Sequence, residues 1–331
     1  MAIVFAVLFE QQNKIDFDAD VDDFLKIMAK AGPALINPIV RLTWALPFLF
    51  PIAAWLNRFG AFGRATARIV RYINQAVAMR RQAAARQQKP DNQTSEDETR
   101  SDVSKIVESS KKCLLIDVFI EEYLKQRITH DQFVGTCFVL VLGGYGTSAV
   151  AITGLLWQLT QDYDIQSKLR RSLLTEGIDA DYVDWCLMES VRWFTPVPLA
   201  AGRTTTYDIT TGDGLLIPKG SFITPSSYSI HRDESIWPQA DIFMPERWRH
   251  KSKFHPAAFM GFGLGARNCP GAKLAIHKIK LTISAILTRY KVERCEQTVK
   301  KYDFISPGLV FTSPAQPINL RFTPLDRCQA E

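Results

Sequence analysis

No two of the six cysteines, at positions 113, 137, 186, 269, 295 and 328, stand as Cys-x-x-Cys, and their spacing suggests no framework. That excludes the usual zinc-module and disulfide-scaffold patterns and leaves six reduced thiols in a reducing compartment as the simplest expectation. Histidine is scarce, five in 331 residues, and none has ligand spacing. There is no aromatic-and-basic cluster of the kind that nucleic-acid modules carry, so no nucleic-acid partner is expected. Charge is only lightly skewed, at +6 with 22% charged residues, which suits an anionic membrane face, an acidic partner or neither. A spanning or secretory N-terminus is also missing: Ala2–Phe9 is apolar but too short to cross a bilayer and lacks a basic region. The uncharged run Leu42–Asn57, cut by Pro47 and Pro51, can dip into a membrane surface but not cross it. No internal repeat is found.

With 47% hydrophobic residues, the chain can bury a sizeable core. Residues 1–60 read as short helical pieces punctuated by prolines, and 61–89 as one basic helix whose Arg64, Arg68 and Arg71 form a solvated face. Residues 90–101 are polar and acidic, with no core-forming side chain, and read as a mobile loop; Asn92-Gln93-Thr94 within it matches a glycosylation sequon. A short helix over 102–112 and a charged helix through Glu121-Glu122-Tyr123-Leu124-Lys125 follow. Asp131 to Leu159 forms a long apolar helix started by Thr129, and its glycines argue for a buried central helix rather than a spanning one. Two helices follow over 164–177 and 179–194. Arg203–Thr224 alternates like strands around a Thr211-Gly212-Asp213-Gly214 turn. Pro245–Arg267 reads mostly as loop, Gly271–Tyr290 as an amphipathic helix, and Ile318–Phe322 as a strand. The class is mainly α with small β-sheets.

The densest chemistry lies in Phe262-Gly263-Leu264-Gly265-Ala266-Arg267-Asn268-Cys269-Pro270-Gly271. Cys269 sits just before a helix, where free N–H groups and the positive dipole end favour a thiolate. The glycines let the backbone turn sharply and approach a flat ligand. Arg267 offers a cation to an anionic group, and Phe262 covers the sulfur side. Upstream, Glu189 and Arg192 share one face of an apolar helix, which by spacing alone is no more than an exposed ion pair. Gly143-Gly144-Tyr145-Gly146-Thr147-Ser148 interrupts the long helix with three glycines, each costing about 1 kcal/mol relative to alanine. The glycines suit either close helix packing or a helix distortion beside a ligand.

The cysteine run matches the haem loop F-x-x-G-x-R-x-C-x-G at every fixed position, and the chain resembles the cytochrome P450 family from about Asp131 to Phe322. Glu189-x-x-Arg192 and Pro245-Glu246-Arg247-Trp248 match the family's E-x-x-R and P-E-R-W pair in the right order, and the glycine run resembles its oxygen-activation motif. The resemblance implies haem b, held by Cys269 as iron ligand with Phe262, Gly265 and Gly271 around it and with Gly143 and Gly144 on the opposite side. It makes Arg203 and Arg267 propionate partners, Thr147 the catalytic hydroxyl, and Glu189, Arg192 and Arg247 a buried structural network. Pro198–Ala201 would face the haem. His231-Arg232-Asp233 and Trp237-Pro238 also match, with His231 structural or at the surface rather than catalytic.

The activity implied is monooxygenation of a small apolar substrate (steroid, lipid or xenobiotic) with O2. Electrons would come from NADPH–cytochrome P450 reductase, with cytochrome b5 a further candidate partner, at the cytosolic face of the endoplasmic reticulum membrane. Residues 1–89 resemble part of the lid of the family 3 clan, and 102–331 the haem-binding core. Two departures matter. Gly146 replaces the acid that precedes the family's threonine, and neither Trp44 nor Trp55 is followed by arginine four residues on, so the N-terminal part of the fold is expected to be lacking. These departures motivate two alternatives, an inactive truncated member and a haem-thiolate isomerase or dehydratase acting on a peroxide.

Overall fold

A capping box opens the longest helix of this computed structural model, which describes residues 115–325 apart from 200–201 and 306–311, and six positions between 67 and 78. Gln132 N–H donates to Thr129 Oγ1 (3.2 Å) while Thr129 N–H donates to Gln132 Oε1 (2.8 Å), so two otherwise orphaned donors satisfy each other. The six early positions, Ala67, Val70, Arg71, Asn74, Gln75 and Ala78, are helical, and Arg71 is exposed as the basic-face reading expects. The rest of the expected lid over 1–89, the run Leu42–Asn57 with Trp44 and Trp55, the loop 90–101 with its sequon, the helix 102–112, Cys113 and Cys328 lie outside the described residues.

The chain divides into two units, Met1–Tyr145 and Gly146–Glu331. In the first, α1 (Leu115–Leu124) precedes the N-terminal half of α2 (His130–Leu159), and the Tyr123 ring stacks on Phe133 at 5.6 Å. Helix α2 is 30 residues long and runs unbroken through Gly143, Gly144 and Gly146. The long helix expected over Asp131–Leu159 is thus present, and the glycines do not break it. By length and composition alone α2 could cross a bilayer. Its C-terminal half nevertheless buries Val150, Ala151, Leu155, Leu156, Trp157 and Leu159 inside the protein.

The second unit is built around α3 (Tyr163–Thr175), α4 (Asp181–Phe194) and α6 (Ala272–Leu287). Asp162 caps α3 by accepting from Asp164 and Ile165 N–H, and α4 ends at Thr195 in the left-handed region with φ 40°. One core joins Leu155 and Leu159 of α2 to Leu169, Leu173, Val183, Leu187, Val191, Ile279, Ile283 and Leu287 of these helices. Each such buried aliphatic side chain contributes about 1.5–3 kcal/mol. Helix α4 touches α2 closely: Ser190 Oγ donates to Ala151 O at 2.9 Å, and a Cβ on Gly154 would stand 2.4 Å from the Phe194 ring.

The strands form two-stranded antiparallel sheets. Strands β1 (Arg203–Thr204) and β4 (Phe222–Ile223) pair around the inner hairpin of β2 (Ile209–Thr210) and β3 (Leu216–Ile217). The hairpin turns where expected, with Gly214 at φ 87°. Helix α5 (Ser227–Ile230) follows. Pro245–Arg267 is less irregular than expected, holding short 3-10 turns at Pro245–Lys253, Pro256–Ala258 and Gly265–Arg267. Helix α6 stops at Leu287, and Tyr290, expected to end it, instead opens β5 (Tyr290–Arg294), paired with β8 (Leu320–Pro324). A last pair joins β6 (Phe304–Ile305) to β7 (Ser313–Pro314). The class is mainly α with small sheets, as expected.

Candidate functional site

Helix α4 places Glu189 on its inner face, where the side chain is wholly buried, 0% exposed, together with Arg192. The reading of this pair as an exposed ion pair is therefore excluded. Glu189 Oε1 accepts from Arg192 Nη2, Arg247 Nε and Met244 N–H, each at 2.9 Å. Its Oε2 accepts from Arg192 Nε and Trp248 Nε1, again at 2.9 Å. The remaining guanidinium donors are also engaged. Arg192 donates to the carbonyls of His231 (2.6 Å) and Ala240 (2.8 Å). Arg247 donates to those of Pro238 (2.9 Å) and Gln239 (3.1 Å). A buried charge is tolerated only when it is paired and hydrogen-bonded throughout, and this carboxylate meets that condition with five donors. Met244 and Trp248 are members that sequence reasoning missed; the P-E-R-W run contained the tryptophan, but only the fold aims its indole N–H at Glu189.

The cysteine loop stands on the same scaffold. Phe259 meets Trp248 edge-on at 5.0 Å, and a Cβ on Gly261 would lie 2.5 Å from Val191 Cγ1, so only glycine lets the segment run flush along α4. Gly263 N–H donates to Met260 O (3.0 Å), and Gly263 and Gly265 both take φ 71°. Cys269 N–H closes the loop onto Phe262 O at 2.7 Å. Gly271 is the residue before α6, and a Cβ there would stand 4.0 Å from Cys269 Sγ, so the thiol lies over the first turn of that helix.

Cys269 is exposed, as are Leu264, Gly265, Ala266, Arg267, Asn268 and Pro270, with Leu264 45% exposed. The loop thus presents one sulfur, one cation and an apolar side chain on an open face. Among the described residues no group of three or more His, Cys, Asp or Glu could hold a metal ion. A single sulfur donor on an open, glycine-shaped face fits a metal that brings its own in-plane ligands, as haem iron does, and not a bare ion.

The other described cysteines are poorer ligands. Burial pushes the Cys137 thiol up to about 11 and the Cys186 thiol well above its ordinary value. Cys295 is held below its ordinary value, chiefly by the Thr298 hydroxyl, but its sulfur is taken up by Thr298 Oγ1 at 3.4 Å and Asn319 O at 3.6 Å.

Thr147 lies in the half of α2 that belongs to the second unit, and Gly143 and Gly144 in the half that belongs to the first. Among the described residues a Cβ at Gly146 would meet nothing within 4 Å outside its own helix. Arg203 is exposed on β1, with Nη1 donating to Gly202 O at 2.7 Å. Of the segment expected to face the haem, Pro198 and Leu199 are described, Leu199 bridging to Ser226; residues 200 and 201 lie outside the described set. His231, left open between a structural and a surface position, is fully buried.

A family model for Cytochrome P450 matches residues 1–322. Among curated proteins the chain is 28% identical to Cytochrome P450 3A12 of Canis lupus familiaris over 208 residues, 59% of this chain and 41% of that one. It is 27% identical to Cytochrome P450 3A29 of Sus scrofa over 212 residues, 60% and 41%. Identity to Cytochrome P450 3A25 of Mus musculus is 29% over 209 residues, 59% and 41%. The chain thus spans about two fifths of the length of the curated relatives it matches. With the complete cysteine loop, the buried Glu189–Arg192–Arg247 network and a family match over nearly its whole length, this chain belongs to the cytochrome P450 family.

Proposed function

We propose that the chain is the haem-binding part of a haem-thiolate monooxygenase that inserts one atom of O2 into a small apolar substrate of the steroid, lipid or xenobiotic class. The observation that carries this reading is the Cys269 thiol, exposed over the first turn of α6 on a loop braced by the buried network. Haem b, the family's cofactor, supplies the oxygen chemistry when bound. The chain's own residues hold and shape it. Cys269 would provide the sulfur ligand, Phe262 would limit water beside it, and Gly265 and Gly271 would keep side chains off the approach. Arg267 and Arg203 would pair with the propionates. The Thr147 hydroxyl can hold and pass a proton. Glu189, Arg192 and Arg247 fix the loops and do no chemistry.

Each turnover takes two electrons and two protons with O2, releasing water with the hydroxylated product. NADPH–cytochrome P450 reductase is the proposed electron donor, with cytochrome b5 a second, at the cytosolic face of the endoplasmic reticulum membrane.

Gly146 favours a second reading. With no acid before Thr147 and, among the described residues, nothing within 4 Å of a Cβ there, proton delivery falls to water, and a peroxide substrate would need none. One experiment separates the readings: haem-loaded chain with reductase, NADPH and an apolar probe, against a lipid hydroperoxide alone. Probe hydroxylation supports the monooxygenase; hydroperoxide rearrangement without reductase supports the isomerase or dehydratase. Loss of haem on gel filtration, with neither activity, supports the inactive form.

A further inference from the structure

We propose that His231 is a positioning residue for Cys269: its imidazole, held as the neutral Nδ1–H tautomer, presents Nε2 to Met260 N–H and so fixes the segment that closes the cysteine loop. The inference rests on the haem-thiolate reading only for what the loop binds; the geometry stands without it.

The tautomer follows from the hydrogen bonds. Thr195 Oγ1 donates its one hydrogen to Arg192 O at 2.7 Å, so at its 3.0 Å contact with His231 Nδ1 it must accept, and Nδ1 carries the proton. Met260 N–H points at His231 Nε2 at 3.0 Å, so Nε2 must be bare. Burial above all, then Arg192 and Arg232, pushes the imidazole down to about 3, which agrees with the neutral ring.

His231 also joins two systems that nothing in the local sequence connects. Its carbonyl accepts from Arg192 Nη1 at 2.6 Å, tying it to the Glu189 network. Its ring stacks on Phe259 at 5.3 Å and 14°, on the side of the cysteine loop. From Met260 the path is short: Met260 O accepts from Gly263 N–H, and Phe262 O accepts from Cys269 N–H. Without Nε2, Met260 N–H would lose its partner and the loop its fixed start. Gly261 against Val191 gives shape but no directional bond at that point.

Amide hydrogen exchange on the haem-free 331-residue chain tests this without relying on the cofactor. His231→Phe keeps the ring stack and removes both nitrogens. We expect exchange at Met260 and Cys269 to quicken at least tenfold, while the amides of α4 stay protected. His231→Gln, whose side-chain oxygen can reach the Nε2 position, should restore most of that protection. On haem loading, the thiolate-type carbonyl spectrum should weaken in His231→Phe and recover in His231→Gln. Unchanged exchange at Met260 and Cys269 in His231→Phe, or a glutamine variant no better than phenylalanine, would overturn the proposal. Should His231→Phe not fold, Thr195→Val, which removes the acceptor for Nδ1–H, carries the same expectation in milder form and the same refutation. If the exchange pattern appears but neither parent nor variant gives a thiolate spectrum, the haem reading has failed and the positioning role stands.

Discussion

Replacing Glu189 with alanine would withdraw a carboxylate that accepts five hydrogen bonds and strand two guanidinium groups. Arg192 is 0% exposed and the Arg247 side chain 4% exposed, so water cannot take over the lost contacts. Removing one partner of a buried pair costs about 3–5 kcal/mol. Met244 N–H and Trp248 Nε1–H would lose their acceptor as well, each adding about 1–3 kcal/mol where burial is complete. Against a typical domain stability of about 5–15 kcal/mol, the sum removes most or all of the folded state. Glu189→Gln should be milder, since one oxygen still accepts from Arg247 and Met244, while its amide faces the donors of Arg192 and Trp248. Lys168, paired with Glu246 at 2.6 Å on the surface, is the control: its loss should cost about 1 kcal/mol or less. Urea unfolding followed by circular dichroism and tryptophan fluorescence reads all three variants. A Glu189→Ala chain within about 1 kcal/mol of the parent would refute the network's structural role.

Two further outcomes follow from the geometry. His231 titrates near 6.5 when unfolded but is held down to about 3 when folded, so between those values the unfolded chain binds the extra proton. Stability is therefore full above about pH 6.5 and falls as pH drops toward the folded value, by up to about 1.4 kcal/mol per pH unit. The stability advantage of the parent over His231→Gln should thus shrink by about 2 kcal/mol from pH 7 to pH 5, and a constant difference across that window would contradict it. Gly154→Ala drives a Cβ to 2.4 Å from the fully buried Phe194 ring and should cost about 1–3 kcal/mol, whereas Gly146→Ala meets nothing within 4 Å among the described residues and should gain up to about 1 kcal/mol of helix stability. Thermal melts should move in opposite directions, and movement in the same direction would undo this account of the two glycines.

The parts of the fold written in local pattern were legible. Thr129 marked the start of α2, periodicity gave α3 and α4 to within about two residues, and the hairpin turned at Thr211–Gly214. What escaped depended on partners far along the chain. Strand β5 has one buried apolar residue, Val292, between Lys291 and Glu293, and it is a strand because β8 pairs with it and Gln166 grips both its N–H and its C=O. The buried Gln166 looks in sequence like any polar residue on a helix face. In the site, the haem loop and the E-x-x-R and P-E-R-W runs could be picked out by spacing. The resemblance joined Glu189, Arg192 and Arg247, but not the bonds from Glu189 to Trp248 and from His231 to Met260, which span 59 and 29 residues and leave no local trace.

The reduced, carbon-monoxide-bound absorption spectrum of the haem-loaded chain tests the central claim most directly, since it distinguishes thiolate from other axial ligation. The parent should give the thiolate-type band and Cys269→Ser should abolish it, while Cys295→Ser, which changes the other described cysteine that burial does not shut off, should leave it intact. A thiolate band that survives Cys269→Ser, or disappears with Cys295→Ser, would contradict the assignment of Cys269 as the ligand.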